Sequence, residues 1–180
     1  ANYFKERGGD LTVLVDTVTS LRESAFDKLQ ALQDSRESAV ETYFEDTTVS
    51  RTDIQPGAPL NRAMNRIVES RTGLGETGES YLVEKIGERY YFRSDLQTMG
   101  DGAYVFGYDL TSIVTGHVER AHRGEDGRDL YTDSAGDLVM VVFEQLDIPG
   151  MNWSLITKMQ LEEAIAPELQ AKQEDYFGSY

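Results

Sequence analysis

From Asp10 to Phe44 the chain runs 35 residues without a proline or a glycine. Its apolar residues fall at Leu11, Leu14, Val18, Leu21, Ala25, Leu29, Leu32, Ala39 and Tyr43, mostly three or four apart. That spacing predicts one long helix, with Gly8-Gly9 marking its start and Asp10 as the N-cap. At 1.5 Å per residue it would reach roughly 50 Å, longer than a small domain is wide. Such a helix packs partly on its own domain and partly on a second copy, or lies across one large sheet. The apolar seam weakens at Ser35 and Arg36, so a continuous coiled coil does not follow from the heptads.

Size and charge narrow the rest. The 180 residues suffice for one ordinary domain with a core. A formal net charge of −15, from 32 acidic and 17 basic residues, argues against non-specific nucleic-acid binding and against docking on anionic lipid through a basic patch. The absence of cysteine removes thiol catalysis, thiolate metal sites and disulfides. No apolar run approaches the length of a membrane span. Ala1 in place of an initiator Met, and a C-terminal pattern that stops short, lead us to expect a piece of a longer protein.

Downstream, Thr47–Ile54 reads as a short strand and Gln55-Pro-Gly-Ala-Pro59 as loop. Asn61–Ser70 reads as helix, with Met64, Ile67 and Val68 at helical spacing. Gly73, Gly75 and Gly78 then match G-x-G-x-x-G, with Asp95 twenty positions past Gly75. A dinucleotide site needs a strand before those glycines and a helix after them; here the order is reversed, so they are read as helix termination and turns. Ser80–Val83 and Arg89–Ser94 alternate as strands around Lys85-Ile-Gly87, with Tyr91 and Arg93 on one face and Tyr90 and Phe92 on the other. Leu96–Phe106 is glycine-rich and reads as loop, and Asp109–His122 as a helix capped by Asp109. Three strands follow at Arg128–Thr132, Leu138–Leu146 and Trp153–Met159, joined by hairpin signals, and an amphipathic helix at Leu161–Gln173 closes the pattern. Two strands, a helical crossover and three more strands predict an α+β fold with a five-stranded antiparallel sheet.

Four segments resemble the Cache (PAS-like) extracytoplasmic sensor domains of bacterial chemoreceptors, sensor histidine kinases and transmembrane cyclases. They are Gly73-Leu-Gly-Glu-Thr-Gly-Glu-Ser-Tyr-Leu-Val83, Phe92-Arg-Ser-Asp95, Leu146-Asp-Ile-Pro-Gly-Met-Asn-Trp153 and Glu162-Glu-Ala-Ile-Ala-Pro167. The resemblance covers about Asn61 to Pro167 and extends to the long N-terminal helix, which looks like the dimerisation helix of that group. It implies a single module: a dimerisation and signalling helix over 1–50, a sensor module over 51–160 and an exit helix over 161–180. It further implies a membrane-anchored receptor, a homodimer through that helix, a periplasmic position, a small polar or carboxylate ligand, and no enzymatic activity. A ligand-free spacer, or a docking site for a periplasmic binding protein, is the alternative. The tail Glu174-Asp-Tyr-Phe-Gly-Ser-Tyr180 is similar to segments that lead into a further sensor module. The Arg-Trp-Tyr and Asp arrangement of amino-acid-sensing modules is not present, which argues against an α-amino-acid ligand.

Arg93 is the sharpest site candidate. An inward-facing Arg in an apolar strand must find an anion, and its planar fork suits a ligand carboxylate or a structural partner such as Asp95 or Asp133. The candidate ligand-binding set is Arg93, Tyr91, Asp95, Tyr81, Tyr131 and Asp133. His117 and His122, about 140° apart around a helix, cannot jointly grip a metal and are expected in solvent. Asp133-Ser-Ala-Gly-Asp137 and Glu125-Asp-Gly-Arg-Asp129 lack the spacing of a calcium loop and read as turns. Trp153 is expected in the core. No cofactor, metal ligand set or catalytic motif is nominated.

Overall fold

The structure, a computed structural model, describes residues 2–96 and 104–177. Its first helix, α1 (Asn2–Asp46), is 45 residues long, about 68 Å at the usual rise. It starts upstream of the expected point: Gly8-Gly9 lie inside it and Asp10 is not a cap. Two glycines cost a helix interior only about 2 kcal/mol together, which a long uninterrupted helix tolerates. The expected strand at Thr47–Ile54 is instead a 3-10 turn, Arg51–Asp53. Asp53 draws the chain into that turn by accepting the Ser50 backbone N–H at 2.8 Å, so no strand partner is needed.

Helix α2 (Pro59–Val68) opens on proline, which suits the first helical position because its missing N–H would have no partner there. The strands are β1 (Glu79–Ile86), β2 (Arg89–Phe92), β3 (Gly127–Thr132), β4 (Leu138–Gln145) and β5 (Trp153–Gln160). They form the expected antiparallel sheet, in the order β2-β1-β5-β4-β3. The first β-hairpin closes tightly, β1 to β2 through Gly87-Glu88 with Ile86 opposite Arg89. The single helix expected over Asp109–His122 is broken in two. Asp109 Oδ1 accepts the Thr111 N–H at 2.8 Å and starts a 3-10 turn, Thr111–Ile113; α3 (Gly116–His122) begins only after Thr115. An Asx-type bond of this kind offers the backbone an alternative to helix, and here it wins. Helix α4 (Leu161–Phe177) follows β5 directly. The centre of the loop expected over Leu96–Phe106, residues 97–103, and the end of the tail, 178–180, lie outside the described residues.

Alternation along the strands sends side chains to two cores. On one face Leu82, Trp153 and Leu155 meet Val40 of α1 and Leu60, Ala63 and Met64 of α2; Met140, Val142 and Met159 meet Ala25, Phe26 and Leu29 further along α1. On the other face Tyr81, Val83, Val141, Phe143 and Ile156 meet Val118 and Ala121 of α3. Trp153 is fully buried, as expected. A buried polar chain sets how α1 lies on the sheet. Gln33 Nε2 donates to the Leu155 carbonyl at 2.7 Å and Thr157 Oγ1 donates to Gln33 Oε1 at 2.5 Å; Arg36 Nη1 donates to Ser80 Oγ at 3.0 Å. Sliding α1 by one turn would leave each of these groups unpaired in the interior, at about 1–3 kcal/mol apiece.

Candidate functional site

The hairpin register decides what Arg93 meets. Glu84 stands opposite Tyr91, so Arg93, two residues on, is a diagonal neighbour of Glu84 on the same face of the sheet. The ladder continues past the end of β2: Arg93 N–H donates to the Leu82 carbonyl at 2.8 Å, and Ser94 Oγ accepts the Leu82 N–H at 2.9 Å. Arg93 is thereby held rigidly and is only 6% exposed. Its Nε donates to Glu84 Oε1 at 2.9 Å, while Arg51 Nη1 donates to Glu84 Oε2 at 2.6 Å. Neither Asp95 nor Asp133 is the partner of Arg93. Two guanidiniums thus share one fully buried carboxylate, leaving a local positive excess in a strongly acidic chain.

Beside this cluster lies a cavity of about 870 Å³, walled by the β2 edge, α2, the Ile54–Gly57 segment and the Tyr104–Tyr108 segment. Arg93, Tyr91 and Asp95 all line it. The ring centroids of Tyr91 and Phe106 lie 5.5 and 5.7 Å from the Arg93 guanidinium carbon, so both rings are within cation–π reach of it. Asp95 shapes the wall and is already satisfied. Its carboxylate accepts Asn65 Nδ2 at 2.6 Å and the Phe106 N–H at 3.0 Å, and Asn65 Oδ1 accepts the Asp95 N–H at 2.9 Å. Asn61 also lines the cavity; its Oδ1 accepts the Gly57 N–H at 2.8 Å, which leaves its buried Nδ2 without a partner among the described residues. Among those residues Arg93 Nη2 likewise has no hydrogen-bond partner. Unspent donors beside a cation and aromatic walls suit a small anion or polar acceptor.

The other three candidates lie elsewhere. Tyr81 points into the α3 side of the sheet, edge-on to Phe92 at 6.0 Å, and burial raises its hydroxyl pKa. Tyr131 and Asp133 line a separate depression of about 280 Å³ with Thr77, Lys158 and Gln160. Burial raises the Tyr131 pKa as well. Asp133 Oδ1 accepts the Ala135 and Asp137 N–H groups and closes the β3–β4 turn, which agrees with the reading of that segment as a turn. The two histidines, expected in solvent, are buried at 8% and 7% exposure. His122 bonds Asn152 Oδ1 at 2.7 Å and Ser154 Oγ at 2.8 Å, and His117 bonds Thr115 Oγ1 at 2.8 Å. Burial, with Lys158 adding to it, pushes His117 down to about 4.

No family model matches the chain, and no curated protein sequence does. Solved structures do. The ligand-binding domain of the Pseudomonas aeruginosa PAO1 amino acid chemoreceptor PctC, in complex with GABA, is similar at 12% identity and a TM-score of 0.49, over 85% of this chain and 62% of that one. The ligand-binding domain of the Campylobacter jejuni chemoreceptor Tlp3 with L-valine is similar at 9% identity and a TM-score of 0.47, over 87% and 64%. The chain spans less than two thirds of either domain.

The residues that reasoning from the strands alone missed are Glu84, Asn61 and Asn65. Glu84 carried a signal: an acid ending an apolar run, two-residue turn spacing from the hairpin, diagonal to Arg93. Asn61 carried a weak one, a polar residue three before Met64 and seven before Val68 on the buried stripe of α2; Asn65 carried none. The glycine loop holds an anion after all, one supplied by the chain itself. Glu163 of α4 accepts the Glu76 N–H at 3.0 Å, and the Thr77 N–H and hydroxyl at 2.8 and 2.5 Å. Gly75 lies at φ +57, and a Cβ there would come within 2.7 Å of that carboxylate.

Proposed function

We propose that this chain is the extracytoplasmic ligand-sensing module of a bacterial transmembrane signalling receptor, and that the Arg93 cavity takes a small carboxylate or similarly polar acceptor. The observation that carries the reading is Arg93 itself: rigid, buried, half-used by Glu84, and presenting the rest of its fork beside an 870 Å³ space. A ligand carboxylate would neutralise the second guanidinium of the Arg51–Glu84–Arg93 cluster, with Asn61 Nδ2 as a further donor and Tyr91 and Phe106 as walls. The resemblance of four segments to Cache sensor domains favours the same role. A ligand-free spacer would have no use for open space beside a buried cation, so the cavity speaks against that alternative.

Coupling runs along β1. Glu84 holds Arg93, and on the same face four residues earlier Ser80 holds Arg36 of α1. A ligand with differential affinity for two placements of the hairpin would bias α1 through that strand. The outer half of α1 leaves Leu11, Leu14, Val15 and Val18 exposed, the pattern a second α1 would cover in a homodimer of a membrane-anchored receptor. No helix among the described residues is long and apolar enough to cross a membrane. The role is binding, with no catalysis assigned.

The test is a thermal-shift and calorimetry screen of the chain against small mono- and dicarboxylates, with GABA and L-valine as zwitterionic probes. A ligand at 100 times its Kd should stabilise by about 2.7 kcal/mol. Arg93→Lys, which keeps a charge for Glu84 but loses the fork, should weaken binding at least tenfold with little loss of folding. No ligand in the screen, or equal binding by Arg93→Lys, overturns the assignment.

A further inference from the structure

A second polar cluster lies on the same sheet face but three strands away from β2, where α1 crosses β4. Asp34 and Glu37 are three apart on α1 and so share one helix face. Glu144 projects toward them from β4, on the side of Met140 and Val142. One carboxylate oxygen from each of the three lies within 4.8 Å of the others. Three acids alone would signify little in this chain. Glu144 is different: it is only 9% exposed, and its Oε1 is buried with no hydrogen-bond partner among the described residues. A buried carboxylate with one unpartnered oxygen, facing two more carboxylates, is costly unless a proton or a cation sits among them. From the juxtaposition of these three side chains we propose that Asp34, Glu37 and Glu144 form a binding site for a divalent cation, calcium in particular, that pins α1 to β4.

The chemistry fits a hard ion. All donors are carboxylate oxygens, and two ligands about 2.4 Å from a calcium ion can lie up to about 4.8 Å apart. Asp34 is exposed and Glu37 half-buried, so water can complete a shell of six to eight. The charges acting on Glu144 come from Glu37, Asp126 and Asp34, every one acidic. Asp126, in the turn before β3, is placed to add a further charge. The site lies apart from Arg93, so either can fail without the other.

The experiment titrates the chain with CaCl₂ by calorimetry and follows thermal unfolding in CaCl₂ against NaCl of matched ionic strength. We expect saturable one-site binding, with Kd about 10⁻⁴–10⁻³ M as in extracellular calcium modules, and a rise in Tm that NaCl does not reproduce. Glu144→Gln and Glu37→Gln should each weaken calcium at least tenfold. Metal-free, both should be no less stable than the parent, because the amide relieves repulsion at constant shape. Glu37, being half-buried, keeps the test valid should Glu144→Gln fold poorly. Absence of saturable binding overturns the site. So does an unchanged calcium response in the folded variants, which would mark general screening of the −15 charge.

Discussion

Removing Arg93 and removing its pair should have different consequences, and the difference can be calculated. In Arg93→Met the Glu84 carboxylate, fully buried, loses its 2.9 Å partner and keeps only Arg51, whose side chain is 54% exposed. Breaking a buried ion pair from one side costs about 3–5 kcal/mol. The surviving Arg51 bond puts this case at the low end, about 3 kcal/mol. For a chain of this size that corresponds to a Tm drop of about 6–12 °C. In the double variant Glu84→Gln/Arg93→Met no buried charge is left uncompensated, and Arg51 can turn to solvent. Stability should then return to within about 1 kcal/mol of the parent, so the coupling is about 2 kcal/mol plus whatever Glu84→Gln costs alone by leaving Arg93 unpaired. Thermal and urea unfolding of the four proteins, followed by circular dichroism, measure the cycle. Additive losses, with the double variant the least stable, would refute the claim that Glu84 anchors Arg93. Ligand binding should stay lost in the double variant, which separates positioning from recognition.

Two further outcomes follow from the buried groups. His117 is held neutral in the fold, with its pKa near 4 against 6.5 unfolded, so the unfolded chain binds the extra proton between those values. Its contribution is therefore fully present above pH 6.5 and is lost toward pH 4, by up to about 1.4 kcal/mol per pH unit. Because the raised Glu144 and Glu37 carboxyls act in the opposite sense, the test is the difference between the parent and His117→Gln; parallel pH profiles would refute it. Glu163→Ala strips three bonds from the Glu76–Thr77 turn and should cost about 1–3 kcal/mol. Gly75→Ala should cost at least about 1 kcal/mol through its positive φ alone, and amide exchange at Thr77 should speed up in both.

Much of the architecture is legible in the residues. The alternation of Tyr90 to Arg93 placed two side chains on each face correctly, because strand geometry allows nothing else once the strand exists. The expected helix at Asp109–His122 failed because periodicity cannot see that Asp109 spends its carboxylate on the Thr111 N–H. The histidines were misplaced for a related reason. His122 finds its partners at Asn152 and Ser154, thirty or more residues away, and only the stacking of α3 on β5 brings them together.

The sequence by itself determined the five strands and most helices, their order, the faces of the central hairpin and the absence of thiol chemistry. These depend on backbone periods and side-chain types that act over a few residues. Only the tertiary structure decided that Glu84 rather than Asp95 holds Arg93, that the glycine loop clasps Glu163, and that Glu37 meets Glu144 across 107 residues of chain. Charges buried together are set by register and packing between distant segments, and no local pattern encodes which carboxylate will be left facing which cation.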